Sequence, residues 1–355
     1  MTELSDLPIR DDLKGHSPYG APQIHVPIQL NVNENTHGIP AEVAEQILAS
    51  LATAVAGSNR YPDREFDELR GELARYLGHG LTPEQLWAAN GSNEIIQQFL
   101  QAFGGPGRSV LAFPPTYSMH SLLVQANYSR WVPAERGADW SITPELAVAA
   151  LEREQPDIVF LCKPNNPTGT GLDLDVIEAV YTAHPGMLLV DEAYAEFESG
   201  PSALSLLRGR PRLVVSRTMS KAFAFAGVRL GYLAADPAVV DAFRLVRLPY
   251  HLSALTQAAA VAALRAAPAM LAQVDAIKVE RDRMVRELAA LGYRPWPSEA
   301  NFVLFGGVED PRATFQALLG AGIIVRDVGI PHTLRVTAGT PAETDAFLSA
   351  LAGLR

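Results

Sequence analysis

The chain has 355 residues, of which 48% are apolar and 19% charged, and its formal net charge is -10. That length exceeds one ordinary core and suits two domains, or one large domain with a smaller partner. The acidic balance argues against nucleic-acid partners and acidic membrane surfaces, and the single cysteine, Cys162, excludes an intrachain disulfide and fits a reducing compartment.

In chain order, residues 1–40 read as an irregular arm broken by Pro8, Pro18, Pro22, Pro27 and Pro40. Their opening stretch carries acidic side chains and no apolar core, so no signal peptide is expected and the cytoplasm is the expected compartment. Helical spacing begins near 41 with AEVAEQILASLATAV and returns in DREFDELRGELARYLG, where Asp63 is the candidate N-cap. Short apolar runs then alternate with helical or polar stretches: Leu86–Ala89, Ser109–Phe113, Ile158–Cys162, Met187–Val190, Leu213–Ser216 and Gly231–Ala234. This alternation predicts an α/β fold, a mostly parallel sheet with helices on both faces. Two long helical signals follow, SALTQAAAVAALRAA and MLAQVDAIKVERDRMVRELAALG. The longest apolar stretch, LTQAAAVAALRAAPAM, is interrupted by Arg265 and Pro268 and falls short of a membrane span. After Gly292, short strands (ANFVLFGG, GIIVRDV, TLRVTAG) alternate with helical ATFQALLGAG and ETDAFLSALAGL, which predicts a smaller α+β domain. The expected division is an arm with part of the small domain over 1–45, a large domain over 46–250 and a small C-terminal domain over 251–355.

In a parallel sheet, ligands sit outside the carboxyl ends of the strands. There the run Met187–Val190 is followed by Asp191-Glu192-Ala193-Tyr194. A carboxylate so placed suits a pyridine nitrogen, which it keeps protonated; capping the next helix is the competing role. Lys221 is followed by small and apolar residues that desolvate an amine and lower its pKa toward a nucleophile and base. Thr218, Ser220 and Arg229 around it offer hydroxyls and a guanidinium fork suited to a phosphate. In Asn90-Gly91-Ser92-Asn93-Glu94, a glycine turn opens a helix whose N-terminus favours an anion, although a plain cap explains it equally.

The run TMSKAFAFAG resembles the lysine-attachment signature of the class II pyridoxal-phosphate aminotransferases, with Asp191 thirty residues before Lys221 and Arg229 eight after it. The resemblance extends to Lys163-Pro164-Asn165-Asn166-Pro167-Thr168-Gly169, whose Asn166 matches the asparagine bonded to the cofactor's ring hydroxyl. It implies fold type I, with pyridoxal 5'-phosphate on Lys221 and Asp191 beneath its ring nitrogen. By the same resemblance, Tyr194 and Asn166 hold the ring oxygen and Tyr117 stacks on the ring. Ser92, Asn93, Thr218, Ser220 and Arg229 surround the phosphate. Tyr61 matches a tyrosine reaching the phosphate of the neighbouring subunit, which implies a homodimer with shared sites. Asn33, in Asn33-Glu34-Asn35, lies on the substrate side, and Arg335 matches the arginine that grips a substrate carboxylate. Thr36-His37 departs from the family, which has a proline and an aromatic residue there.

Arg326, in GIIVRDV, and Tyr19, in SPYGAP, resemble the phosphate-gripping residues of the histidinol-phosphate branch, and His251 is a candidate either for lining its imidazole pocket or for a packing role. The implied reaction is transamination between histidinol phosphate and 2-oxoglutarate, giving imidazole-acetol phosphate and glutamate. The alternatives are an aromatic amino-acid transaminase acting on phenylalanine and a threonine-phosphate decarboxylase. Transcription regulators on the same scaffold carry a basic helix-turn-helix domain before the fold, which the irregular arm does not supply. No metal ligand set is expected.

Overall fold

The computed structural model describes residues 4–15, 20 and 22–354; Tyr19 lies outside them. In chain order the strands are β1 (Ile28–Gln29), β2 (Leu86–Ala89), β3 (Ser109–Ala112), β4 (Arg130–Pro133), β5 (Ile158–Cys162), β6 (Met187–Asp191), β7 (Leu213–Thr218), β8 (Gly231–Ala235), β9 (Arg294–Pro295), β10 (Phe302–Gly306), β11 (Ile323–Ile324) and β12 (Thr333–Thr337). Seven of them form one sheet in the order β2-β8-β7-β6-β5-β3-β4. Within it β4, β3, β5, β6 and β7 pair in parallel, and only β8 runs against its neighbours. Every residue of β5 and β7 is buried, as a sheet covered on both faces requires. The expected α/β architecture is present.

The second, smaller layer is an antiparallel sheet, β12-β10-β9, beside the parallel pair β1-β11. The arm ties these two sheets together. Ile28 N–H donates to Gly322 O and Leu30 N–H to Ile324 O, while Thr337 N–H donates back to Leu30 O at 2.9 Å. The apolar side chains form two clusters: one around the large sheet, and one joining Leu30 and Tyr194 to Phe302, Leu334 and Phe347.

Several local readings change. Strand β4 was not expected: RWVP is a four-residue edge strand with exposed Arg130 and Pro133 at its ends, so it lacks a continuous apolar run. The second helix starts at Asp67, with left-handed Phe66 at the N-cap. Asp63 still receives the Asp67 N–H at 2.9 Å, from outside the helix. The expected helix from Met270 is broken into Ala267–Leu271 and Val274–Ala290. The preceding helix, Ala254–Arg265, is capped by Ser253 and packs Ala259–Leu264 into the larger core, although it follows residue 250. Among the described residues no single helix is long and apolar enough to cross a membrane.

Candidate active site

A cavity of about 450 Å³ opens at the carboxyl ends of β5, β6 and β7 and is closed on its far side by the arm and β12. It is lined by Asn33, Ser92, Asn93, Tyr117, Asn166, Asp191, Tyr194, Thr218, Ser220, Lys221, Arg229, Arg326 and Arg335, among others. Strand ends supply the charged groups here because the buried strands leave polar side chains nowhere else to emerge.

Asp191 ends β6 and is 1% exposed. Its Oδ2 lies 3.1 Å from His120 Nε2, and its Oδ1 accepts the Ser216 hydroxyl at 3.4 Å. An ionised carboxylate only accepts, so Nε2 carries the proton in this contact. His120 was not singled out in the sequence. It stands one turn past Tyr117, whose ring it meets edge-on with centroids 5.4 Å apart.

Lys221 projects into the cavity and donates from Nζ to Val32 O at 3.0 Å. Burial, chiefly, pushes its ammonium down from 10.5 to about 8; the positive Arg335 and Arg229 add to this and Glu34 opposes it. Asn35 Nδ2 donates to Ala222 O, so the arm also grips the backbone beside this lysine. Where the sequence departs from the family, His37 N–H donates to Asn35 Oδ1 at 2.9 Å, and Thr36 Oγ1 is buried without a hydrogen-bond partner.

Around Tyr194 the donors converge. Arg335 Nη1 donates to Asn166 Oδ1 at 2.6 Å, which turns the Asn166 amide nitrogen toward the Tyr194 oxygen at 3.2 Å. Asn33 Nδ2 donates to the same oxygen at 2.8 Å. Two donors occupy the phenol's lone pairs, so its own proton is directed to an acceptor in the cavity. Burial, above all, raises the Tyr194 pKa, which keeps that proton in place at neutral pH. Asn33 sits in the left-handed region (φ 56°), and its backbone is held by Thr337 Oγ1 and Asn301.

The phosphate side is built from close backbone approaches. Gly91, at φ 88°, precedes the helix Ser92–Phe103, which has no side-chain cap. A Cβ on Gly91 would lie 2.4 Å from Arg229 Nη2, so only glycine lets the guanidinium lie over the turn. Asn93 Oδ1 is buried without a hydrogen-bond partner among the described residues. Ser220 N–H donates to Thr218 Oγ1, closing the turn before Lys221. An uncapped helix end, an arginine above it and a turn with hydroxyls make a seat for a phosphate ester. With Asp191 below and Lys221 in reach, these residues fit an aromatic cofactor bearing a phosphate and an aldehyde.

Arg326 and Arg335 stand directly opposite each other: Arg326 N–H donates to Arg335 O at 2.9 Å, and the reverse bond is 2.8 Å. Both line the cavity. Arg335 is anchored through Asn166 and Asn31 O, whereas no partner is found for the Arg326 guanidinium among the described residues.

Two sequence candidates lie elsewhere. Tyr61 is 80% exposed and stacks on Tyr250 with centroids 4.4 Å apart, outside the cavity. His251, considered for the imidazole pocket, instead stacks on Trp87 and bonds through Nε2 to Ala88 O, outside the residues that line the cavity.

Residues 26–351 match the family model for aminotransferase class I and II. Over 359 aligned positions the chain is 60% identical to the histidinol-phosphate aminotransferase of Paenarthrobacter aurescens strain TC1, covering 100% of this chain and 96% of that one. It is 56% identical to the enzyme of the same name from Thermobifida fusca strain YX, with 98% and 95% covered. The crystal structure of histidinol-phosphate aminotransferase from Sinorhizobium meliloti, in complex with pyridoxal-5'-phosphate, matches with a TM-score of 0.83 at 28% identity, over 93% of this chain and 91% of that one.

Proposed function

The chain belongs to the class I and II aminotransferases, and we propose that it transfers the amino group of histidinol phosphate to 2-oxoglutarate, giving imidazole-acetol phosphate and glutamate in histidine biosynthesis. The cofactor is pyridoxal 5'-phosphate, which when bound supplies an electron sink for the carbanion formed at the substrate Cα. The observation that carries the substrate assignment is the opposed pair Arg326 and Arg335 facing one cavity. Like charges directly opposite on an antiparallel ribbon repel, and an anionic ligand relieves this. Arg326 has its fork available for the donor's phosphate. Arg335 takes the carboxylate of the acceptor, its plane fixed by Asn166 and Asn31.

The other residues take roles that follow from their surroundings. Lys221 would carry the cofactor and, once the donor's amine has displaced it, would as an amine depressed by burial move the proton from the donor's Cα to the carbon that bore the cofactor's aldehyde. Asp191, braced by His120 and Ser216, presents a fixed negative charge to the ring nitrogen. Tyr194 directs its proton at the ring oxygen, with Asn166 beside it. Tyr117 covers the ring, and Ser92, Asn93, Thr218, Ser220 and Arg229 hold the phosphate. Asn33 orients Tyr194 from the substrate side, and Tyr19 is assigned to the donor's phosphate by resemblance alone. Exposed Tyr61 serves the partner's site in a homodimer, and the enzyme works in the cytoplasm.

Replacing Arg326 by glutamine tests the substrate assignment. A charge-assisted contact is worth about 1.5–3 kcal/mol, so kcat/KM for histidinol phosphate should fall roughly 10- to 100-fold. That for phenylalanine should stay within about twofold, because it has no phosphate to lose. An equal loss on both donors would move the phosphate elsewhere.

A further inference from the structure

The turn that carries Tyr194 is bracketed by three glutamates whose side chains are 0%, 7% and 5% exposed: Glu192, Glu196 and Glu198. Glu192 Oε2 accepts from Arg217 Nε at 3.0 Å and Nη2 at 2.7 Å, and also from the Ser202 hydroxyl; its Oε1 takes the Ala203 N–H. Glu196 Oε1 lies 3.7 Å from Arg217 Nη1 and accepts the Tyr76 hydroxyl at 3.2 Å. Glu198 pairs with buried Lys163, at the start of the loop that carries Asn166.

Buried ion pairs add little net stability, since desolvation offsets their attraction; their attested use is to specify one geometry. Here the geometry specified is that of a short turn with a single cavity-lining phenol. Arg217 does not line the cavity. It stands on β7, four residues before Lys221, so one guanidinium joins the strand leading to the lysine to both sides of the Tyr194 turn.

We propose that Arg217 is a positioning residue for the reaction: by gripping Glu192 and Glu196 at once, it fixes the Tyr194 hydroxyl against the ligand oxygen. This rests on the role of Tyr194 given above. A donated hydrogen bond stabilises the anionic ring oxygen. Its loss leaves the nitrogen shared by cofactor and lysine more basic, and the pH midpoint of the bound cofactor's visible absorbance moves upward.

The test is that titration on cofactor-loaded protein. Tyr194→Phe sets the full upward shift. Arg217→Lys keeps the charge but loses the fork, and Tyr76→Phe removes a hydroxyl that meets the turn only through Glu196. Both should move the midpoint upward by about half a pH unit, less than Tyr194→Phe, with wild-type cofactor content. Arg217→Met strands two buried carboxylates and is expected to fold poorly, so the milder variants carry the test, and Tyr76→Phe decides it should Arg217→Lys also misfold. Unmoved or lowered midpoints in folded variants, beside a shifted Tyr194→Phe, would overturn the proposal and leave Arg217 a purely structural ion pair. A flat Tyr194→Phe titration would overturn the role of Tyr194 and this proposal with it.

Discussion

Lys221 shows how far single residues determine chemistry here. Its depressed pKa has a direct consequence for the proposed cofactor attachment, because attack on the cofactor's aldehyde requires the neutral amine. An ordinary lysine at 10.5 is almost wholly protonated at pH 8; this one, at about 8, is half neutral. The rate of cofactor uptake by the cofactor-free protein should therefore rise with pH and level off above about 8, followed by stopped-flow absorbance. A rise continuing toward pH 10 would mean that the side chain is solvated. Lys221, Asp191 and Asn166 were legible because each sits in a local motif. His120 was not, since it reaches Asp191 across 71 positions of sequence and only the packed sheet brings them together. Asn33 and Tyr194 were each read as site residues, but the hydrogen bond that joins them across 161 positions was not.

Elements place these residues by backbone proximity, and the crossing of β8 with the turn before the helix Ser92–Phe103 is a close approach beside the cavity. A Cβ on Gly231 would fall 2.2 Å from the carbonyl carbon of Gly91, and both partners are backbone, so neither side can yield cheaply. Gly231→Ala should lower stability by about 1–3 kcal/mol, the usual range for overpacking, and weaken cofactor binding through the displaced phosphate turn. Thermal unfolding with and without cofactor measures both effects; an unchanged cofactor affinity would separate this crossing from the phosphate seat. Buried parallel strands were readable from their unbroken apolar runs, with ends shifted by one or two residues. Edge strand β4 was hidden, because exposed Arg130 and Pro133 at its two ends leave no continuous apolar run. The break at Ala272 and Gln273 shows the related difficulty for helices: no glycine or proline stands there, so the helical spacing from Met270 reads through it.

At the scale of the whole molecule, two apolar clusters meet at the cavity, and Leu30, Tyr194 and Ala222 belong to the smaller one. The arm therefore closes the cavity as part of the smaller apolar cluster; the sequence reading grouped the arm with the small domain, but not its contacts around Lys221 and Tyr194. Away from the cavity, Leu245 and Leu248 stay 86% and 75% exposed near the Tyr61–Tyr250 stack. Large apolar side chains so displayed fit a subunit interface. If Tyr61 completes the partner's site, two inactive variants should complement each other. Lys221→Ala mixed and reassembled with Tyr61→Ala forms one site with both native residues, so activity should return above that of either variant alone. Absence of recovery in verified mixed dimers would confine each site to one chain.

The central claim is that a phosphorylated imidazole amine is the amino donor, and a half-reaction tests it most directly. The cofactor-loaded protein is mixed with histidinol phosphate or with phenylalanine, without any keto acid, while the visible band of the lysine-bound cofactor is followed. Histidinol phosphate is predicted to bleach the band in one turnover at far lower concentration than phenylalanine, and added 2-oxoglutarate to restore it. Bleaching by phenylalanine at equal or lower concentration would contradict the account and make the protein an aromatic transaminase.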